Sequence, residues 1–170
     1  MTASQDLYRG LDKRVTILTG RIHGLLLVLA LLTACSGNLR EVLGEPPQVS
    51  LSGLERQADS VTLELSVRNV NDEALRLSGA SVDLVLDGQP LAAGSRELTL
   101  RISARGRETL RFSLPAEPDG LEALQRLAKG GANRLPWTLQ ARLTTEGGRD
   151  RVTEAEGWLH PVPGQPDRFR

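Results

Sequence analysis

Apolar side chains recur at every second residue through most of this chain, a period that fits β-strands and not amphipathic helices. In "SVTLELSVRN", Val61, Leu63, Leu65 and Val67 alternate with Thr62, Glu64, Ser66 and Arg68, the pattern of a strand with one buried and one solvated face. "SVDLVLDGQPLAAG" repeats it through Val82, Leu84 and Leu86, and Asp87-Gly88 supplies a hairpin turn before Leu91. Leu98, Leu100 and Ile102 continue the period, a turn is expected around Ala104 to Arg107, and Leu110, Phe112 and Leu114 follow. Trp137, Leu139, Ala141 and Leu143, a Gly147-Gly148 turn, and a weaker run from Val152 to Leu159 close the series. With "QVSLSGL" near residue 48, the chain predicts about seven antiparallel strands, a number that suits an all-β sandwich.

One segment departs from period two. "PDGLEALQRLAKGG" spaces Leu121, Leu124, Leu127 and Ala128 as on one face of a helix, with Asp119 three residues before Glu122 as an expected capping box and Gly130-Gly131 as a stop. This helix, over residues 119–129, is expected to turn its apolar stripe onto the core. Residues 161–170, "PVPGQPDRFR", are rich in Pro and Gly and are expected to form a flexible tail.

The N-terminal segment belongs to a different kind of sequence. Arg9, Lys13, Arg14 and Arg21 precede an apolar run from Gly24 to Leu32. That run has about half of the roughly 20 residues a membrane-spanning helix needs and ends in small residues, as a secretory signal does. The run closes on Leu32-Thr33-Ala34-Cys35, which resembles the lipobox of bacterial lipoproteins. Small side chains admit the extended backbone to a peptidase cleft, and a thiol can take a thioether-linked diacylglycerol. The resemblance implies a signal peptide over residues 1–34, cleavage before Cys35, and a membrane anchor of acyl chains on Cys35. Two or more chains hold a protein stably, because each buried methylene contributes about 0.8 kcal/mol. Ser36 stands where Asp would favour inner-membrane retention, so the expected location is the outer membrane, facing the periplasm. Residues 35–47 then form a lipidated tether, and 48–160 the folded domain.

Cleavage leaves 136 of the 170 residues. The signal segment takes four basic and two acidic residues from the chain's 21 and 21, leaving 17 and 19, a net charge near −2. No basic field is left to hold nucleic acid. Cys35 is the single cysteine, so no disulfide can form within the chain.

An alternating strand ending in "VRNVND", the region "LRLSGASVDLVLDGQPLAAG" and the hairpin after it resemble the late embryogenesis abundant type 2 family, also called the water stress and hypersensitive response domain. Asn69-Val70-Asn71 stands where that family has Asn-Pro-Asn, and Asp87-Gly88 with Leu91-Ala92-Ala93-Gly94 stands for its second motif. Val70 replaces the proline, so the turn loses a residue that fixes φ, although Asn69 and Asn71 can still bond the local backbone and tolerate left-handed conformations. The resemblance implies an immunoglobulin-like or fibronectin III-like sandwich, a role in desiccation and stress tolerance, and no catalytic residues.

The inventory of reactive side chains agrees with a chain that is not an enzyme. Beyond the signal segment the one histidine is His160, so no His/Cys metal cluster can form, and no nucleophile elbow, P-loop or dinucleotide fingerprint occurs. Glu154 and Glu156 share one face of a strand and Asp72-Glu73 follows the asparagine turn, positions that solvated faces and turns explain equally well. Trp137, Trp158 and Phe112 lie on strand patterns and are expected in the core, with an exposed platform for a sugar or partner as the alternative. No metal and no cofactor is expected. The expected function is a non-enzymatic stress-protection or envelope-binding module whose partners are the membrane, through Cys35, and an envelope protein or lipid. The alternative is a carrier that holds a lipid or other apolar ligand between its sheets, with the helix as a lid.

Overall fold

Every strand read from the alternation is present. The structure, a computed structural model, describes residues 44–170; Leu32, Thr33, Ala34 and Cys35, and with them the signal peptide and most of the tether, lie outside the described residues. In chain order the elements are β1 (Gln48–Gln57), β2 (Ser60–Arg68), β3 (Leu75–Leu86), β4 (Gln89–Ile102), β5 (Arg107–Pro115), α1 (Pro118–Ala128), β6 (Leu135–Thr145), β7 (Asp150–Leu159), β8 (Pro161–Val162) and β9 (Gln165–Phe169). They form two antiparallel sheets, one in the order β5-β2-β1-β9-β8 and one in the order β4-β3-β6-β7. The fold is an all-β sandwich with one helix. Its seven longer strands are those expected, and the short β8 and β9 are additional.

The inward residues of both sheets meet in one core. Val61, Leu63, Leu65 and Val67 of β2 face Val82, Leu84 and Leu86 of β3 and Leu139, Ala141 and Leu143 of β6, all buried. Each such side chain, once buried, contributes about 1.5–3 kcal/mol. A bulge between Leu51 and Gly53 shifts the parity of β1, which lets both Val49 and Leu54 point inward although five residues separate them.

Turn chemistry sets the register. Asp87 and Gly88 take positive φ of 53° and 77°, the left-handed pair that a two-residue hairpin matching the strand twist requires. The β4–β5 turn also has a left-handed residue, Arg105, with φ of 55°.

The helix starts one residue earlier than its sequence pattern suggests. Pro118 occupies the first turn, Glu117 is the N-cap without a side-chain capping bond, and Asp119 lies inside the helix, so the expected capping box does not form. A proline there supplies a preset φ and lacks an N–H that would have no helical acceptor anyway. The C-terminal end is closed by the two glycines: Gly131 N–H donates to the Arg126 carbonyl and Gly130 N–H to the Leu127 carbonyl, with Gly130 left-handed at 78°, a Schellman cap. α1 packs on β4 and β3. Gly120 sits so close to β4 that a Cβ there would lie 2.4 Å from the Pro90 carbonyl oxygen.

The tail expected to be flexible is ordered. Residues 161–170 form a hairpin about left-handed Gly164, and β9 pairs with β1 at Leu54–Phe169 and Glu55–Arg168. Phe169 is buried at 2% exposure. Arg56 Nε donates to Asp167 at 2.9 Å, and the backbones of His160 and Arg170 exchange two hydrogen bonds. Pro161 is tolerated because β8 is an edge strand, Pro163 lies in the turn, and Pro166 falls outside the residue pairs that join β9 to β1 and β8.

Candidate functional site

The asparagine motif lies at the end of the sandwich where the chain enters and where two connections cross between sheets. β2 ends at Arg68, and the loop of residues 69–74 carries the chain to β3 in the other sheet; the turn of residues 103–106 carries it back from β4 to β5. Asn69 stands between them, fully buried and the one polar residue that is so among the described residues. Its Nδ2 donates to the carbonyls of Glu73 at 2.7 Å and Ser103 at 3.0 Å, with a longer contact to that of Ile102 at 3.4 Å. Its Oδ1 accepts from the Asn71 N–H at 3.1 Å, and its own N–H donates to the Gly106 carbonyl at 2.9 Å. One carboxamide thus satisfies backbone groups of both crossover loops.

Asn71 extends the latch outward. Its Nδ2 donates to the Glu45 carbonyl at 2.8 Å, tying down the entering chain, and its carbonyl accepts from the Arg105 N–H at 3.0 Å. Arg105 Nε also donates to Asp72 at 2.8 Å. That hydrogen bond and the guanidinium charge hold the Asp72 carboxyl below the usual carboxylate range, and the same partnership raises Arg105. The Asn69 carboxamide donates to backbone carbonyls alone, and Asn71 Nδ2 divides its donations between the Glu45 carbonyl and Asn69 Oδ1 at 3.4 Å.

The other residues singled out from sequence are dispersed. Glu154 and Glu156 project from the outer face of β7, and with Asp83, Val85, Thr138 and Gln140 they line an open depression of about 540 Å³ on the outside of the four-stranded sheet. Gln140 Nε2 donates to Glu154 at 3.2 Å. His160 is exposed at the β7–β8 junction, far along the chain from any nucleophile pattern. Asp72 is engaged by Arg105 and Asp87 by Arg126 at 2.5 Å, and no group of three or more His, Cys, Asp or Glu among the described residues is placed to hold a metal. Asp150 is held below the usual carboxylate range by hydrogen bonds from Arg142 and Thr144.

Phe112 and Trp137 are buried, but Trp158 is not. It is 49% exposed, with the Arg134 guanidinium 4.0 Å from its ring centroid. Strand parity explains the correction: Leu159 is fully buried, and neighbouring residues of a strand face opposite sides, so Trp158 must point outward. The helix, expected to turn its apolar stripe onto the core and a lid only in the carrier alternative, has Gly120, Ala123, Leu124 and Leu127 buried, and it packs on β4 and β3.

Comparison with known proteins places this architecture. The family model described as late embryogenesis abundant protein matches residues 64–153, from β2 into β7 and across Asn69, Asn71 and both crossover loops. No protein of curated function matches the sequence. Among solved structures, a solution structure of a protein from Arabidopsis thaliana is 15% identical, covers 77% of this chain and 95% of that one, and superposes with a TM-score of 0.50. A crystal structure from Archaeoglobus fulgidus is 18% identical over 69% of this chain and 97% of that one, with a TM-score of 0.41. At 15% identity the likeness to the Arabidopsis structure speaks to the fold alone. The family match extends over more than half of the chain, and it takes in β3 to β6 with α1, parts of β2 and β7, and both crossover loops: the chain belongs to the late embryogenesis abundant protein family.

Proposed function

We propose that this protein is a membrane-anchored lipoprotein of the cell envelope whose late embryogenesis abundant domain acts without catalysis, in protection against desiccation and osmotic stress or in binding an envelope component. The observation that carries the reading is the order of its parts: a charged segment, a short apolar run and Leu32-Thr33-Ala34-Cys35 directly precede a domain of this family. Ser36 favours the outer membrane and the periplasmic side. A folded, disulfide-free sandwich suits such a role because its core of Leu and Val side chains is independent of redox state.

Two measurements test the proposal. Labelled palmitate should enter the wild-type protein and not Cys35→Ser, and the wild-type protein should sediment with membranes. Cells lacking the chain should survive drying and osmotic upshift less well than cells complemented with the anchored form. Label in Cys35→Ser, or none in the wild type, refutes the anchor; equal survival of deletion and wild-type strains refutes the stress role.

A further inference from the structure

The outer face of the β5-β2-β1-β9-β8 sheet has an arrangement that sheet energetics oppose. Arg68, the last residue of β2, is directly paired with Arg107, the first of β5, and Gln48 of β1 stands opposite Arg68 on the other side. Like charges directly opposite each other destabilise a sheet. Some other arginines meet carboxylates, Arg56 with Asp167, Arg105 with Asp72, Arg111 with Glu64, Arg126 with Asp87 and Arg142 with Asp150, and Arg96 and Arg134 lie over the Phe112 and Trp158 rings. Arg76 and Arg101 are also directly opposed, but Arg76 lies 3.6 Å from Glu146. Among the described residues neither Arg68 nor Arg107 has a carboxylate within ion-pair distance.

The next row inward is Ser50–Ser66–Thr109, on the same face by strand alternation. Gln48, Ser50, Ser66, Arg68 and Arg107 line one depression of about 320 Å³. Its polar lining consists of two guanidinium forks, two hydroxyls and a carboxamide, with no carboxylate. Glu108 follows Arg107 but pairs with inward-facing Val67. Glu64, two residues before Ser66, is held by Arg111 at 2.8 Å.

From this geometry we infer that Arg68 and Arg107, with the hydroxyls of Ser50 and Ser66, form a binding site for a phosphate group, free or esterified. Guanidinium forks match phosphate oxygens in pairs and bind them more strongly than neutral donors do. A dianion or monoanion between the two guanidinium groups converts their repulsion into attraction, which gives the opposed pair a physical purpose. The site lies at the end where the chain enters, four residues from Gly44, where Asn71 holds Glu45. If Cys35 is acylated, the eight residues between Cys35 and Gly44 reach at most about 30 Å, so lipid phosphates are within range. Only that choice of source rests on the lipoprotein proposal; the phosphate site does not.

The test uses the full-length protein in mild detergent, as wild type, as Arg68→Gln/Arg107→Gln and as the control Arg101→Gln/Lys129→Gln. Inorganic phosphate is titrated by calorimetry, and partition onto vesicles of phosphatidylcholine with and without phosphatidylglycerol is measured by flotation. Wild type and control should bind phosphate or favour the phosphatidylglycerol vesicles at least tenfold, and the Arg68/Arg107 variant should lose this while unfolding cooperatively at an unchanged or higher Tm. Response to inorganic phosphate alone assigns a free-phosphate ligand; response to vesicles alone assigns a lipid headgroup. Equal binding by the Arg68/Arg107 variant, equal loss in the control, or no response of the wild type in either arm overturns the inference. Cys35→Ser should leave the phosphate titration unchanged, so failure of the anchor and failure of the site are read separately.

Discussion

Replacing Asn69 by Ala removes the buried carboxamide that serves both crossover loops, and its cost can be worked from the bonds it makes. Two strong donations, to Glu73 at 2.7 Å and Ser103 at 3.0 Å, and one acceptance, from the Asn71 N–H at 3.1 Å, are lost. A net hydrogen bond contributes about 0.5–1.5 kcal/mol, and a buried group left without a partner costs about 1–3 kcal/mol. Glu73 and Ser103 are exposed and Asn71 is half-buried, so water can replace the lost partner at each, and the Ser103 carbonyl also keeps the Gly106 N–H at 2.9 Å. Counting about 1 kcal/mol for each of the three bonds gives a loss of about 3 kcal/mol. For a domain of this size that lowers Tm by roughly 9–12 °C. Urea unfolding followed by circular dichroism measures it directly, with an unchanged m-value as the sign that the native compactness is kept. Asn69→Asp should be as damaging near neutral pH, because a carboxylate would face carbonyl oxygens with no proton to donate. Asn71→Ala, whose lost donation to Glu45 is exposed, should cost only about 1 kcal/mol. A loss below about 1 kcal/mol for Asn69→Ala, within the range of a single ordinary hydrogen bond, refutes the latch.

Phe169→Ala should cost about 3–5 kcal/mol, the range for deleting a buried aromatic ring; a loss below about 0.5 kcal/mol, typical of surface positions, would mean that β9 is not docked. Gly120→Ala opposes two effects: helix propensity favours alanine by about 1 kcal/mol, while a Cβ 2.4 Å from the Pro90 carbonyl and 2.5 Å from the Leu91 Cα meets backbone that cannot yield, an overpacking cost of about 1–3 kcal/mol. A lower Tm is expected, and a higher one refutes the close approach of α1 to β4. Asp72 and Asp150 have carboxyl pKa values depressed in the folded state by Arg105 and by Arg142 with Thr144. Their stabilisation is complete above the unfolded value of about 3.9 and disappears as pH falls through the lower folded value. Tm should therefore drop on acidification below about pH 4, and the double variant Asp72→Asn/Asp150→Asn should show a shallower drop over the same interval; an unchanged slope refutes both pairings.

Much of the architecture could be read before the structure because alternation is a local property that reports burial residue by residue. The inward sets of β2, β3 and β6 were legible for that reason, as was the Asp87-Gly88 turn, whose left-handed residues are encoded in the dipeptide itself. The same reasoning failed where two local signals competed. Trp158 and Leu159 are neighbours, so only one can face the core, and the buried Leu159 settles it. In residues 161–170 three prolines masked a strand pair, and the single apolar residue near the end, Phe169, is too short a pattern to show a period. The opposed arginines 68 and 107 were invisible as a pair, since 39 positions separate them in the chain and only the β2–β5 register brings them together.

The sequence alone determined that this protein is a β-sandwich with one helix, because period-two burial and turn residues act over a few neighbouring positions. It also contains Leu32-Thr33-Ala34-Cys35, which resembles a lipobox and is read along the chain, not in space. The tertiary structure decided which asparagine is a buried latch, which tryptophan is exposed, that the tail is a docked hairpin, and that two arginines share one depression. Each of these depends on pairing between strands distant in sequence, and the free energy that selects such a pairing comes from surfaces that exist only once both sheets have formed.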